Sequence, residues 1–206
     1  MPRTSRLRLA LAATIGYALG SAPTADVVSR AATAGSVDLR ETGSRNPGAA
    51  NAMQVLGKQW GAAVFVGDFA KGALAAALGR VIAGDGGAYV AGSAAVAGHN
   101  WPVWTGFRGG KGVATAAGTC LVVFPPAFPI VGSALVAGLV SARSTERAVV
   151  LAAPTWIVSA TLWAATRRSN RWGPRPGAGL VLNAAATSAM VLGKFAAARA
   201  FATPPA

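Results

Sequence analysis

The chain has one cysteine, Cys120, and one histidine, His99, in 206 residues. A lone cysteine forms no intrachain disulfide and no thiolate metal cluster. A lone histidine rules out the usual histidine-rich metal sites. Acidic residues are scarce too: six Asp and Glu stand against 19 Lys and Arg, a formal net charge of +13. Charged residues of all kinds make up only 12%, where soluble domains carry about 25%. That deficit excludes an ordinary soluble domain. Hydrophobic residues reach 53%, which is the composition of a membrane protein. The basic excess does not point to nucleic acid, because the cations sit between apolar runs. Anionic lipid headgroups and a phosphorylated substrate are better partners for them.

A helix crossing a bilayer needs roughly 20 mostly apolar residues. The runs 9–25, 59–78, 87–107, 112–142, 148–166 and 176–193 reach or approach that length, and only 59–78 carries charge, as Asp68 and Lys71. Pro125-Pro126 interrupts the fourth run, and a proline pair ends a helix. The expectation is an all-α polytopic membrane protein of about seven transmembrane helices, forming a single domain over residues 1–206. The two pieces flanking Pro125-Pro126 are short, so one of them need not cross fully. Arg3, Arg6 and Arg8 before an apolar stretch ending in Ser21-Ala22-Pro23-Thr24-Ala25 also resemble a cleavable signal peptide. The further apolar runs favour a retained first helix.

Helices in this order place residues 29–58, 105–111, 141–147 and the C-terminal tail on one side. The N-terminus, residues 80–86 and residues 167–175 fall on the other. Every glycine- or serine-rich polar loop then shares one face, as one active site built from several loops requires. Ten Lys and Arg fall on the loop face and eight opposite, with Lys71 inside a helix. That margin barely separates the two faces. A cytoplasmic placement of the loop face rests on the soluble phosphorylated metabolites found there. No internal repeat stands out, and the abundant Ala and Gly suit close helix packing.

Two loops carry chemistry. In Gly43-Ser44-Arg45-Asn46-Pro47-Gly48-Ala49-Ala50-Asn51, glycines permit positive φ and Pro47 stiffens the turn. Such turns line up backbone N–H groups as an anion nest. Ser44, Asn46 and Asn51 add neutral donors and Arg45 a bidentate one. The same residue types serve equally well as helix caps. The second loop runs from Gly98-His99-Asn100-Trp101-Pro102 through Phe107-Arg108-Gly109-Gly110-Lys111-Gly112-Val113-Ala114-Thr115. Gly109, Gly110 and Gly112 let backbone approach an oxyanion, Lys111 supplies a mobile charge, and a helix starting near Val113 points its first amides at the ligand. It is not a Walker A motif, since Gly112 follows Lys111 where Ser or Thr belongs. His99 reads as a structural residue capping its helix; a general base is the alternative, with an unperturbed pKa of about 6.5. Asp68 and Lys71, three apart in an apolar helix, share a face and should pair toward the bundle interior. In the third loop Arg143 offers a phosphate contact and Ser141 a donor, though a snorkelling boundary arginine fits Arg143 as well.

The second loop is similar to the GHxxPxxxxFxGGKGVAT signature of the PlsY family, the bacterial membrane acylphosphate:glycerol-3-phosphate acyltransferases, at every fixed position. Gly43 to Asn51 resembles that family's GSGNPGATN signature. Gly20 to Ala25 resembles its GSxPxA segment in the first helix, and Gly67 to Gly72 its DxxKG segment. The resemblance runs from about residue 16 to 120, in order. It implies a seven-helix bundle in the bacterial cytoplasmic (inner) membrane, with active loops facing the cytoplasm. It implies transfer of a fatty acyl group from acyl phosphate to the 1-hydroxyl of glycerol 3-phosphate, with no metal or organic cofactor. The implied chemistry is substrate-assisted, the acceptor's own phosphate helping to remove the hydroxyl proton. Ser44, Asn46 and Lys111 then stand as catalytic residues. Arg45, Asn51, His99, Gly109, Gly110, Gly112, Ser141 and Arg143 stand as substrate-binding ones. The chain departs from the family at Arg45, Ala50 and Gln54, the last occupying the place of a phosphate-binding arginine. The family's SGxxSxG motif shrinks to Ser141 and Ser144, and its C-terminal RHxxN motif is missing; Asn183 and Lys194 are the nearest polar residues. Two alternatives stay open: a paralogue acylating a different phosphorylated acceptor, and a non-catalytic membrane protein that binds lipid phosphate.

Overall fold

A computed structural model describes residues 5–142 and 144–202. Among the described residues every regular element is helical: α1 (Arg6–Gly20), α2 (Thr24–Thr33), α3 (Ala49–Val55), α4 (Lys58–Asn100), α5 (Val113–Val123), α6 (Phe128–Ala142), α7 (Thr145–Thr166) and α8 (Ala178–Ala202), with a 3₁₀ turn at Val103–Thr105. The all-α membrane architecture is therefore as expected. Three helical stretches, in α4, α7 and α8, are long and apolar enough to cross a membrane, while α5 and α6 are apolar but shorter. At 11 and 15 residues, they extend about 16 and 22 Å, against a hydrocarbon core of about 30 Å.

α4 is a hairpin rather than a rod. Ala83 (φ −135°, ψ 21°) and Gly84 (φ 65°, ψ −153°) leave the helical region and fold one arm back on the other. Only glycine enters the Gly84 conformation without strain. The arms meet so closely that a Cβ on Gly79 would lie 2.3 Å from the Gly87 carbonyl oxygen.

Prolines set several boundaries away from the expected places. α1 stops at Gly20, not near Ala25, and α2 starts at Thr24 with Pro23 at its N-cap. Pro23 has no N–H to continue a helix from α1. The run 87–107 stops being α-helical at Asn100, because Pro102 drives Trp101 out of the helical region (φ −134°, ψ 66°). Residues 29–58, expected as a polar loop, hold the end of α2 and all of α3. A small core of Ala25, Leu39, Ala52 and Val64 packs these against α4. α8 continues past Gly193, so Lys194 lies on a helix.

The loops gather at two ends as expected. At one end Tyr17 donates to the Trp101 carbonyl (2.7 Å) and Arg40 Nε to the Arg108 carbonyl (2.8 Å). At the other, Tyr89 donates to the Arg175 carbonyl (2.9 Å), and the Arg175 amide donates to Asp85 (3.0 Å).

α5 wedges between the two arms of α4. A Cβ on Gly118 would lie 1.9 Å from the Phe69 carbonyl oxygen, and one on Gly72 2.1 Å from that of Thr115. Thr119 Oγ1 lies 3.4 Å from the carbonyl oxygens of both Gly72 and Gly92, one on each arm. Beyond this wedge, Tyr89, Phe124, Trp156 and Leu180 form the main core. Phe124 packs between Trp156, tilted at a centroid distance of 5.7 Å, and Trp163, edge-to-face at 5.3 Å.

Replacing Gly118 by Val forces α5 off α4 and should cost about 1–3 kcal/mol or more from overpacking. Gly193→Ala, whose new methyl group meets nothing within 4 Å, is the matched control. Thermal unfolding in detergent should show a lowered midpoint for the first and none for the second.

Candidate active site

A polar pocket of about 250 Å³ opens at the loop end, lined by Gly20, Ala22, Pro23, Thr24, Ala25, Arg40, Pro47, Asp68, Lys71, His99, Gly109 and Gly110. Its floor is an ion pair on α4. Asp68 and Lys71 are 2% and 7% exposed, and Lys71 Nζ lies 2.9 Å from Asp68 Oδ1. Lys71 also donates to the Ala22 carbonyl at 3.2 Å. The break after α1 presents this carbonyl to the lysine, and it also accepts from the Thr24 amide at 2.9 Å. His99, on the other arm, places Nδ1 3.5 Å from the same Asp68 oxygen. Among the described residues its imidazole makes no capping bond to its own helix. It turns to the carboxylate instead, which differs from the cap expected for it.

The glycine loop lies across this cluster as a strap. The Gly110 amide donates to the His99 carbonyl at 3.1 Å. A Cβ on Gly110 would lie 2.3 Å from His99 Nε2, and one on Gly109 2.1 Å from the His99 carbonyl oxygen. Gly112 combines φ +81° with a Cβ position 2.5 Å from Asn100 Oδ1. Side chains at these places would lift the strap off the histidine. α5 then begins at Val113 with Gly112 at its N-cap and no side chain capping it. Its first amides are thus available to an anion.

Lys111 is half-buried. Its Nζ stands 4.3 Å from the Phe195 ring centroid. Burial beside apolar groups pushes its pKa below the ordinary lysine value.

One wall of the pocket comes from the segment before α3. Arg40 grips both carboxylate oxygens of Asp26, in the first turn of α2. Asn51 is 1% exposed and acts as a staple: its Nδ2 donates to the carbonyls of Leu39 (3.0 Å) and Thr42 (2.9 Å), and its Oδ1 accepts from the Ser44 amide (2.8 Å). Gly43 is required there, since its φ is +63° and a Cβ would lie 2.3 Å from Asn51 Oδ1.

Of the expected site residues, His99, Gly109 and Gly110 line the pocket, and Lys111 and Gly112 follow on the strap. Ser44 and Arg45 are exposed and Asn46 half-buried, so they form a rim, while Asn51 lies beneath it. Ser141 sits in the last turn of α6, where its hydroxyl donates to the Ala137 carbonyl at 2.7 Å, and it does not line the pocket. Arg143 lies outside the described residues. Asn183 is taken up elsewhere, donating to the Tyr89 carbonyl (3.0 Å) and to Ser93 (2.8 Å). Arg40, Asp68 and Lys71 join the site although they stood outside the expected set. For Asp68 and Lys71 the signal was present, as charges inside an apolar run. For Arg40 there was none: its partners are 14 and 68 residues away in sequence.

The family model described as glycerol-3-phosphate acyltransferase matches residues 10–199. The chain is 43% identical to a glycerol-3-phosphate acyltransferase of Thermoanaerobacter pseudethanolicus over 115 residues, covering 56% of this chain and 57% of that one. It is 37% identical to a glycerol-3-phosphate acyltransferase of Desulforudis audaxviator over 149 residues, covering 72% of this chain and 74% of that one. The match thus spans between about half and three quarters of these relatives' length. The fold superposes on the crystal structure of PlsY, an integral membrane glycerol 3-phosphate acyltransferase in its glycerol 3-phosphate form, with a TM-score of 0.77 and 28% identity, covering 92% of this chain and 88% of that one.

Asp68→Ala strands the Lys71 ammonium with a lone carbonyl partner, which should cost about 3–5 kcal/mol. The double variant Asp68→Leu/Lys71→Met removes both charges and should recover much of that loss. Unfolding midpoints of the wild type and the two variants in the same detergent check both statements.

Proposed function

The chain belongs to the glycerol-3-phosphate acyltransferase family, and from that premise we propose that it transfers a fatty acyl group from acyl phosphate to the 1-hydroxyl of glycerol 3-phosphate. The products are lysophosphatidic acid, an intermediate of phospholipid synthesis, and inorganic phosphate. One observation carries the reading: the strap divides two unlike cavities. On one side lies the polar pocket with Arg40, Lys71 and His99. On the other, beginning at Val113, lies an apolar groove between α5, α6, α7 and α8. Joining an apolar acyl chain to a small polar phosphate ester requires both cavities with the reacting atoms between them.

In this reading Lys111 and the first amides of α5 hold the departing phosphate and stabilise its charge. Ser44 and Asn46 close on the acyl phosphate from the rim, with Arg45 adding positive charge. Asn51, Gly109, Gly110 and Gly112 hold the loops in shape, and His99 lines the acceptor pocket over Asp68. Ser141, in the last turn of α6, stays outside the pocket and takes no part in this reading. The acceptor's own phosphate helps take the hydroxyl proton, and the protein contributes positioning. The whole chain acts as one multi-pass domain in the bacterial cytoplasmic membrane, its loop face toward the cytoplasm.

A second reading, acylation of a different phosphorylated acceptor, draws on the pocket's charge. Arg40 and Lys71 are each paired with a carboxylate, and exposed Gln54 is neutral. Competition between glycerol 3-phosphate and other phosphorylated alcohols in the same assay separates the two readings.

Purified protein given palmitoyl phosphate and glycerol 3-phosphate should release inorganic phosphate and form lysophosphatidic acid. Lys111→Ala should lower that turnover by at least about 10²-fold while leaving membrane insertion intact; turnover at the wild-type level would sink the assignment. The pH dependence has a definite sign. Phosphate binding needs the ammonium form and burial disfavours it, so kcat/KM for the donor should fall on the alkaline side at a pH below the ordinary lysine value of about 10.4. Lys111→Arg, which stays charged, should flatten that limb even where its overall rate is lower.

A further inference from the structure

Lys194 lies outside the signature segments between about residues 16 and 120, although within the family match over residues 10–199. It stands on α8 toward the loop end, half-buried, with Nζ 5.8 Å from the Trp101 ring centroid. Lys111 comes to the same place from the strap, its Nζ over the ring of Phe195, the next residue of α8. Asn100, the last residue of α4, ties that helix to α8, its Nδ2 donating to the Met190 carbonyl at 3.1 Å. The Phe195 and Trp101 rings thus place both ammonium groups where the strap meets α8.

Among the described residues neither ammonium has a carboxylate within ion-pair distance. The cations of the polar pocket differ, since Lys71 has Asp68 and Arg40 has Asp26. Two like charges held together in a partly desolvated place repel one another. Aromatic faces offset part of this; an anion between them removes it.

What lies below the two lysines says which anion. Val113, two residues after Lys111, and Val191, three before Lys194, both line the apolar groove. From there it follows α5 past Ala116 to Cys120, a helix length of about 10 Å, and reaches Trp156 of α7. Paired cations at the mouth of an apolar groove are complementary to one class of molecule, a single acyl chain ending in an anionic head.

We propose that Lys194 and Lys111 together grip the phosphate of the acyl-phosphate donor, with its chain lying in the groove between α5, α6, α7 and α8. This rests on the acyl-transfer reading given above. The polar pocket across the strap is then left to the acceptor. As transfer proceeds, the bond from the acceptor oxygen to the acyl carbon forms and the acyl carbon–oxygen bond to phosphate breaks. The hydroxyl proton ends on the released inorganic phosphate, which departs between the two lysines. Lys194 is thus a donor-binding residue that the family signatures do not mark.

The test uses the full chain in lipid nanodiscs, with Lys194→Gln and Lys194→Arg. The Gln variant should raise KM for palmitoyl phosphate by about tenfold, leave KM for glycerol 3-phosphate within about twofold, and be largely rescued in the Arg variant. Binding of dodecyl phosphate, which cannot transfer an acyl group, should weaken by a similar factor in the Gln variant. That second readout separates two failures. If the wild type does not turn over, yet dodecyl phosphate binds and Lys194→Gln weakens it, the acyl-transfer reading fails and the site stands. If the wild type turns over and Lys194→Gln changes neither KM nor dodecyl phosphate binding, Lys194 is a snorkelling side chain and the proposal is overturned. A rise in KM for glycerol 3-phosphate alone overturns it too, as does a groove filled by a two-chain phospholipid that dodecyl phosphate does not displace.

Discussion

The Lys71 ammonium inside an apolar helix is the constraint around which the loop end is arranged. A charge away from water needs a counter-charge and further hydrogen-bond acceptors close by. Asp68, one turn earlier on α4, supplies the first, and the Ala22 carbonyl supplies an acceptor. That carbonyl lies in the break between α1 and α2, where it also accepts from the Thr24 amide. His99 approaches the same carboxylate from the second arm of α4. One buried pair therefore registers three parts of the chain: the α1–α2 break and both arms of the α4 hairpin. The glycine strap rests on the last of these.

The strap translates that registration into a division of space. Because Gly109 and Gly110 have no side chains, backbone lies directly on His99, and the pocket behind it stays small and polar. Because Gly112 turns with positive φ, the chain enters α5 at once, and its next residue, Val113, already faces the apolar groove. Within a few residues the environment changes from polar to oil-like. A reaction between an acyl chain and a sugar-like phosphate ester has the same polarity boundary at its reacting atoms.

Within the family likeness the charges are distributed in this chain's own way. Gln54 is neutral and exposed, and Arg45 stands at the rim with φ +54°. The cations that line the polar pocket are held by carboxylates. Two half-buried lysines without a carboxylate within ion-pair distance, among the described residues, stand near the groove, Lys111 over Phe195 and Lys194 over Trp101. The signature segments thus describe the strap and the loop scaffold, and the charge around them varies with positions outside those segments.

Much of the architecture follows from local chemistry. Apolar runs, the charge deficit and one proline pair determine by themselves that the chain is helical, membrane-bound and broken at Pro125-Pro126, whereas the breaks at Pro23 and Pro102 fall inside runs that read as continuous. The glycines around Lys111 announce a loop that must approach something closely, and Asp68 and Lys71 announce a buried pair, since each of these depends on neighbours within a turn or two. The membership of the site was decided by tertiary structure. Arg40 becomes part of it through Asp26 and Arg108, His99 becomes a neighbour of Asp68 when α4 folds at Gly84, and Lys194 comes over Trp101 only when α8 packs against the end of α4. Those contacts join residues from tens to about ninety positions apart. A sequence read along one dimension carries no distance between them, whereas helix packing, driven by small residues and buried polar groups, leaves them no other place to be.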